Sequence, residues 1–313
     1  MNHTHELIEK HYRSINRGFK STKKNRKIKQ GDLEMKKKTI LSALATAGVI
    51  VTLAACGNGN EESNGSNAED TTIKIGASNV PHAEILEFVQ PILEEEGITL
   101  DITTYNDYVI PNVALDEGEI DANYFQHIPF FDAAVEENGY DFVNAGSIHI
   151  EPLAIFSQRY ESLDDVEDGA TVLVSNNQAD WGRVIGIFQE AGLVTVKDGV
   201  DLTTATFEDI DENPKNLVFE YENDPALMTT LYQQDEAELI AINSNFAVDQ
   251  DISPIDDSVA IESTSSPYAN IIAVRSEDAE DPAILKLVET LKSKEVQDFI
   301  LEELDGAVVP VTE

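Results

Sequence analysis

The chain has 313 residues and carries 59 Asp and Glu against 21 Lys and Arg, a net charge of −38. That excess of acid excludes a nucleic-acid binder, because phosphates need Lys and Arg; it suits a surface exposed to a salty or alkaline exterior, where salt screens the self-repulsion. The charge is also uneven: twelve of the 21 basic residues but only four of the 59 acidic ones precede Cys56, so the remainder of the chain is more acidic than the whole.

In chain order, Met35-Lys36-Lys37-Lys38, the apolar run from Thr39 to Leu53 and Leu53-Ala54-Ala55-Cys56-Gly57 supply the three parts of a secretory signal. The apolar core is too short for a good membrane span. Cys56, the sole cysteine, stands where a bacterial lipobox has its acylated residue, so residues 35–55 are expected to be a lipoprotein signal peptide and Cys56 the lipid anchor in the bilayer. Residues 1–34 precede a complete signal and are expected to be an untranslated or dispensable extension. Gln30-Gly31-Asp32 can be encoded by a purine-rich ribosome-binding sequence just before Met35. Residues 56–70, rich in Gly, Asn, Ser and acid, read as a flexible tether, and folding is expected to begin near Thr71.

From there strand-like and helix-like runs alternate. "TIKIGAS" (72–78) leads to an amphipathic helix (83–97), a strand (98–105), a short helix (112–117), a strand (120–125) and a helix (130–139). The extended run 146–157 reads as a passage between lobes. A second set comprises a strand (170–175), a helix from about Trp181 to Ala191, strands at 216–222 and 238–245, and a helix around 225–234. The strand 268–275 and the helices of 282–304 return to the first set. The pattern predicts α/β architecture with parallel or mixed sheets covered by helices, lobe 1 comprising 71–150 and 268–313 and lobe 2 comprising 151–267. Two α/β lobes joined by two crossings and tethered outside a membrane are the plan of a solute receptor, whose ligand site is the cleft.

Within that plan Arg183 stands out as one of only nine basic residues after Cys56. It lies one turn into a helix that follows a strand and a polar loop, where free backbone N–H groups favour an anion and a guanidinium fork can match a carboxylate at two points. A local pair with Asp180 is the simpler alternative. Aromatic residues gather across 105–131. Phe130 and Phe131 sit on a helix face and are expected in the core, whereas Tyr108, Phe125 and His127 lie at loop junctions and suit a wall around an apolar or thioether side chain.

"NDYVIPNVALDEGEIDANYFQHIP", "DGATVLV", the Gly182-Arg183 pair, "ENPKNL" and "INSNFA", with the lipobox and the opening "IKIGAS", resemble the methionine-binding lipoproteins of ABC uptake transporters, the NlpA/MetQ family, over roughly residues 72–313. The resemblance implies a two-lobe, periplasmic-binding-protein-like α/β fold (type II) with an amino acid such as methionine in the interlobe cleft. It also implies a lipid-anchored position on the extracytoplasmic face of the cell membrane, delivery to an ABC permease and ATPase, and no cofactor. In the family the ligand side chain meets aromatic residues, here Tyr108, Phe125 and His127. Its charged ends meet the arginine and loop asparagines, here Arg183 and Asn243. Where the family usually reads Asn-Asp-Pro-Thr-Asn-x-Gly-Arg, this chain reads Asn176-Asn177-Gln178-Ala179-Asp180-Trp181-Gly182-Arg183. An acid at 180 can hold an ammonium but repels a carboxylate, so D-methionine, a Met-containing dipeptide and other amino acids stand beside L-methionine.

A zinc receptor would draw on His82, His127 and His149 with a carboxylate, but no pair of these has tight ligand spacing. A hydrolase lacks support: there is no G-x-S-x-G elbow and the one cysteine is at the lipid site, so no enzymatic activity is expected.

Overall fold

The computed structural model describes residues 71–263, 267–304 and 306–311. The signal, Cys56 and the tether therefore lie outside the described residues.

The chain opens on β1 (Thr71–Ser78), passes α1 (Glu84–Glu94) and continues through β2 (Ile98–Tyr105), α2 (Ile110–Asp116), β3 (Ala122–His127), α3 (Ile128–Asn138) and β4 (Phe142–Ile150). β1 pairs in parallel with β2, from Thr71 opposite Ile98 to Ser78 opposite Tyr105, and with β3. Much later, β12 (Ala269–Arg275) enters antiparallel between β3 and β4, and β13 (Val309–Pro310) closes the far edge. The six-stranded order is β13-β4-β12-β3-β1-β2. Every residue of β3 is buried, as befits a strand covered on both faces. On one face α1, α7 (Pro282–Leu291) and α8 (Lys294–Glu303) bury Ile85, Leu86, Val89, Leu93, Leu287 and Ile300 against Ile73, Ile75 and Ile272. The other face packs Leu115, Ile120, Phe131 and Phe142 on Ile271 and Ala273. Asp281 caps α7, accepting from the backbone N–H groups of Ala283 and Ile284, and Gly139 ends α3 in the left-handed region that favours glycine.

Between β4 and β5 (Ala154–Phe156) the chain crosses to a second sheet. This sheet holds β6 (Thr171–Ser175), β9 (Val218–Asn223), β10 (Leu239–Ile242) and β11 (Ser258–Ile261) in the order β11-β5-β10-β6-β9. β6 runs parallel to β9 and β10, while β5 is antiparallel to both β10 and β11. α4 (Trp181–Glu190) buries Val184, Ile185, Ile187 and Phe188 in its core. Gly182 is required there: a Cβ would lie 1.6 Å from the carbonyl oxygen of Leu202. A small hairpin of β7 (Thr195–Val196) and β8 (Ile210–Glu212), the helix α5 (Met228–Gln233) and the short helix α6 (Ser244–Val248) complete this lobe. The return crossing runs from Ile261 to Ala269. The mixed sheets agree with the expected alternation; β7, β8, β11 and α6 go beyond it.

Parallel strands order the functional residues. Their carboxyl ends, at Ser78, Tyr105 and His127 in one sheet and Ser175, Asn223 and Ile242 in the other, place the adjoining loops at the cleft between the lobes.

Candidate ligand-binding site

All six residues singled out in the sequence, Tyr108, Phe125, His127, Asp180, Arg183 and Asn243, line one cavity. Tyr108 follows β2, Phe125 and His127 end β3, Asp180 and Arg183 open α4, and Asn243 follows β10. The cavity is about 20 Å³, room for about one water. A second chamber of about 220 Å³ shares Tyr108 and Asn245 with it.

Asp180 is the centre of the polar half. As the residue before α4 it could cap the helix, but its side chain makes no such bond. Instead Oδ1 accepts from His127 Nε2 and Arg183 Nη1, both at 3.0 Å, and Oδ2 from the Nδ2 groups of Asn177 (2.6 Å) and Asn243 (2.9 Å). His127 is held for this role by its own helix: its Nδ1 accepts from the N–H of Phe130 at 3.1 Å, which leaves the proton on Nε2. Burial pushes the Asp180 carboxyl upward, but the hydrogen bond from His127, the charge of Arg183 and the hydrogen bond from Asn243 outweigh it and hold the group well below the usual carboxylate range.

Arg183 is not a free fork. Its side chain is 3% exposed. Nε and Nη2 both donate to Glu262 Oε2, at 3.0 and 2.6 Å, and Nη2 also donates to the carbonyl of Glu151 at 2.6 Å. The guanidinium lies 4.7 Å from the centre of the Tyr268 ring. Thus the local pair with Asp180 exists, yet it is buried and belongs to a network. Glu151 and Glu262 lie in the two crossings, so one side chain bonds both. Neither acid was singled out in the sequence, because only the return of the chain between lobes brings them to Arg183.

Behind the cavity, Glu151 Oε1 accepts from His149 Nε2 at 2.8 Å and lies 3.2 Å from His82 Nε2, which also donates to Asn270 Oδ1 at 3.0 Å. The remaining ring nitrogens accept from the hydroxyls of Ser78 and Tyr124. Burial lowers His82 to about 4 and His149 to about 3, and raises Glu151. The ligating atoms of these three lie within 4.8 Å of one another, but each ring nitrogen already has a partner that suits a neutral imidazole. His127 belongs to the Asp180 network and not to this group, so the three histidines of the zinc alternative do not converge.

The apolar half is built from rings. The Phe125 and Phe130 rings lie 6.1 and 5.9 Å from that of Tyr108, and the Phe246 ring lies 5.1 Å from it. Tyr108 reaches across the cleft to donate its hydroxyl to Asn245 Oδ1 at 2.7 Å. Phe131 is in the core as expected, but its neighbour Phe130 lines the cavity. The first turn of α3 turns these adjacent residues to different sides.

The model of the NlpA lipoproteins matches residues 73–312. The chain belongs to the NlpA lipoprotein family. It is 43% identical over 281 residues to the methionine-binding lipoprotein MetQ of Bacillus subtilis, covering 88% of this chain and all of that one. A solved structure of a pheromone cOB1 precursor/lipoprotein from Enterococcus faecalis is 59% identical, with a TM-score of 0.76 over 77% of this chain and all of its own. A nutrient binding protein from Burkholderia cenocepacia, solved bound to methionine, is 37% identical with a TM-score of 0.72 over 77% of this chain and all of its own. The fold of this NlpA lipoprotein is thus the two-lobe, periplasmic-binding-protein-like α/β fold. Its relatives are binding proteins.

Proposed function

We propose that the protein is a lipid-anchored receptor on the outer face of the cell membrane that captures methionine or a closely related amino acid between its lobes and hands it to an ABC permease and ATPase. The reading is carried by one observation: a wall formed by Tyr108, Phe125 and Phe130 and the buried ionic network of Asp180 and Arg183 line the same interlobe cavity. Rings suit a thioether or other apolar side chain, while fixed charges suit a polar end. The relatives, methionine-binding in B. subtilis and methionine-bound in B. cenocepacia, support the same ligand class. Cys56 supplies the anchor, and no cofactor or catalytic step is needed.

In this reading Tyr108, Phe125 and His127 contact the ligand side chain, and Asp180 with Asn243 faces its amine. Arg183 sets the charge of the site. Thermal unfolding of the soluble receptor with L- and D-methionine, methionine-containing dipeptides and unrelated amino acids tests the proposal. A ligand at about 100 times its Kd stabilises by about 2.7 kcal/mol, and no stabilisation by any methionine compound would sink it.

A further inference from the structure

Tyr108 belongs to the ring wall of the cavity and, with Asn245, also lines the second chamber. The two side chains come from opposite lobes, Tyr108 from the loop after β2 and Asn245 from α6, and their hydrogen bond of 2.7 Å is a partition between the two spaces. Asn245 is 5% exposed, so a group that displaces the Tyr108 hydroxyl must give Asn245 Oδ1 another donor or leave a buried acceptor unsatisfied.

At about 220 Å³ the second chamber is more than ten times the roughly 10–15 Å³ that a single water needs. Both lobes contribute to it: Asn79, Tyr105 and Asp107 from the first, Ala226, Thr229 and Phe246 from the second. The lining mixes rings with amides and hydroxyls, and among the described residues that form it the only charged side chains are the acids Asp107 and Asp249. Such a space accepts an apolar stem with a polar, uncharged end and disfavours an anion.

We infer that the second chamber is a subsite for the far end of the ligand side chain. Its ligand class is an amino acid of the methionine type whose sulfur carries a substituent longer than methyl, uncharged and ending in a hydrogen-bond donor. That donor replaces the Tyr108 hydroxyl on Asn245, so Tyr108 sets the side-chain length that the site accepts. The inference rests on the receptor reading, which puts the ligand side chain against Tyr108, and extends it.

The test is calorimetric titration of the soluble receptor with L-methionine, S-(2-hydroxyethyl)-L-homocysteine and S-carboxymethyl-L-homocysteine. The hydroxyethyl compound is expected to bind within about tenfold of methionine, which is about 1.4 kcal/mol. The carboxymethyl compound has the same reach but ends in an anion near Asp107 and Asp249, and should bind about tenfold or more below the hydroxyethyl one. Ala226→Phe fills the chamber from a position that does not line the first cavity. It should lower the ratio of hydroxyethyl to methionine affinity by about tenfold, with methionine itself within about threefold of wild type. Tyr108→Phe removes the bond that the longer chain has to replace, and should raise the same ratio by about threefold or more. Because each ratio is taken on one protein, a loss of stability in a variant cancels. Methionine binding with loss of the hydroxyethyl compound would overturn the inference and leave the receptor reading intact. So would equal affinity for the two analogues, or a ratio unmoved by either variant. Failure of all three compounds to bind the folded wild type would overturn both.

Discussion

Replacing Arg183 by Ala should be costly before any ligand is added. The side chain is buried, and its removal strands the carboxylates of Asp180, 1% exposed, and Glu262, 12% exposed. Asp180 would keep His127 and two asparagines, and Glu262 would keep the N–H of Leu153 at 3.1 Å, so neither is left bare. Breaking a buried pair by deleting one partner costs about 3–5 kcal/mol. For a folded unit of this size, each kcal/mol shifts Tm by about 2–4 °C, which gives a drop of roughly 6–20 °C. Arg159→Ala is the internal control: that arginine also pairs with two acids, Asp235 and Glu238, but at the surface, where solvent screens such pairs and they contribute little. The sign with pH comes from Asp180, held below 3.8 in the fold. Its contribution is complete above that value and is lost as pH falls through the folded value, so wild type and Arg183→Ala should converge in acid. Thermal unfolding without ligand, at neutral pH and across the acid range, measures both effects. If Arg183→Ala melts no lower than Arg159→Ala, the buried network does not bear on stability and the reading of Arg183 as its hub is wrong.

Phe125→Ala should weaken a methionine-like ligand by about 1–3 kcal/mol through lost apolar contact; an equal fall in ligand-free stability with no specific loss of affinity would assign Phe125 to the core instead. His82, lowered from 6.5 to about 4, favours the neutral form, so the unfolded chain takes up its proton first and stability falls as pH drops from 6.5 towards 4. In His82→Asn that slope should be shallower by about 1.4 kcal/mol per pH unit; Glu151, raised by burial, works in the opposite sense in both proteins. Parallel pH curves for the two would contradict this. Cys56→Ala should leave a folded receptor that fractionates away from membranes, and its retention there would show another anchor.

What the sequence made legible was local. The strand, polar loop and helix around Arg183 fall within thirteen residues, and the periodicity of 170–191 announces them. Tyr108, Phe125, His127 and Asn243 were legible for a related reason, since each lies just past or near the end of a strand. Glu151 and Glu262 carry no such mark: in a chain with 59 acids, nothing local separates the two that meet a buried guanidinium from the rest. Phe130 misled because adjacent residues at a helix start can face opposite sides, and its helix-face position read as core. α6 escaped because five residues are too few to show a helical period, so Asn245, its partner to Tyr108, was not singled out. Tertiary return, not local pattern, decides such positions.

That one guanidinium bonds the carbonyl of Glu151 and the carboxylate of Glu262, one in each crossing, bears on how the lobes part. A rotation about the crossings leaves those bonds on the axis, where displacements are smallest. The bonds that such a rotation would sever lie out at the rim: His127 to Asp180, Tyr108 to Asn245, and Asn79 to Asp249 at 2.5 Å. Each is worth about 1 kcal/mol net, somewhat more where a charge is involved. The fold is therefore built like a door on a stiff pivot with a weak latch, and a ligand between the lobes needs to add only a few kcal/mol of bridging contacts to hold it shut.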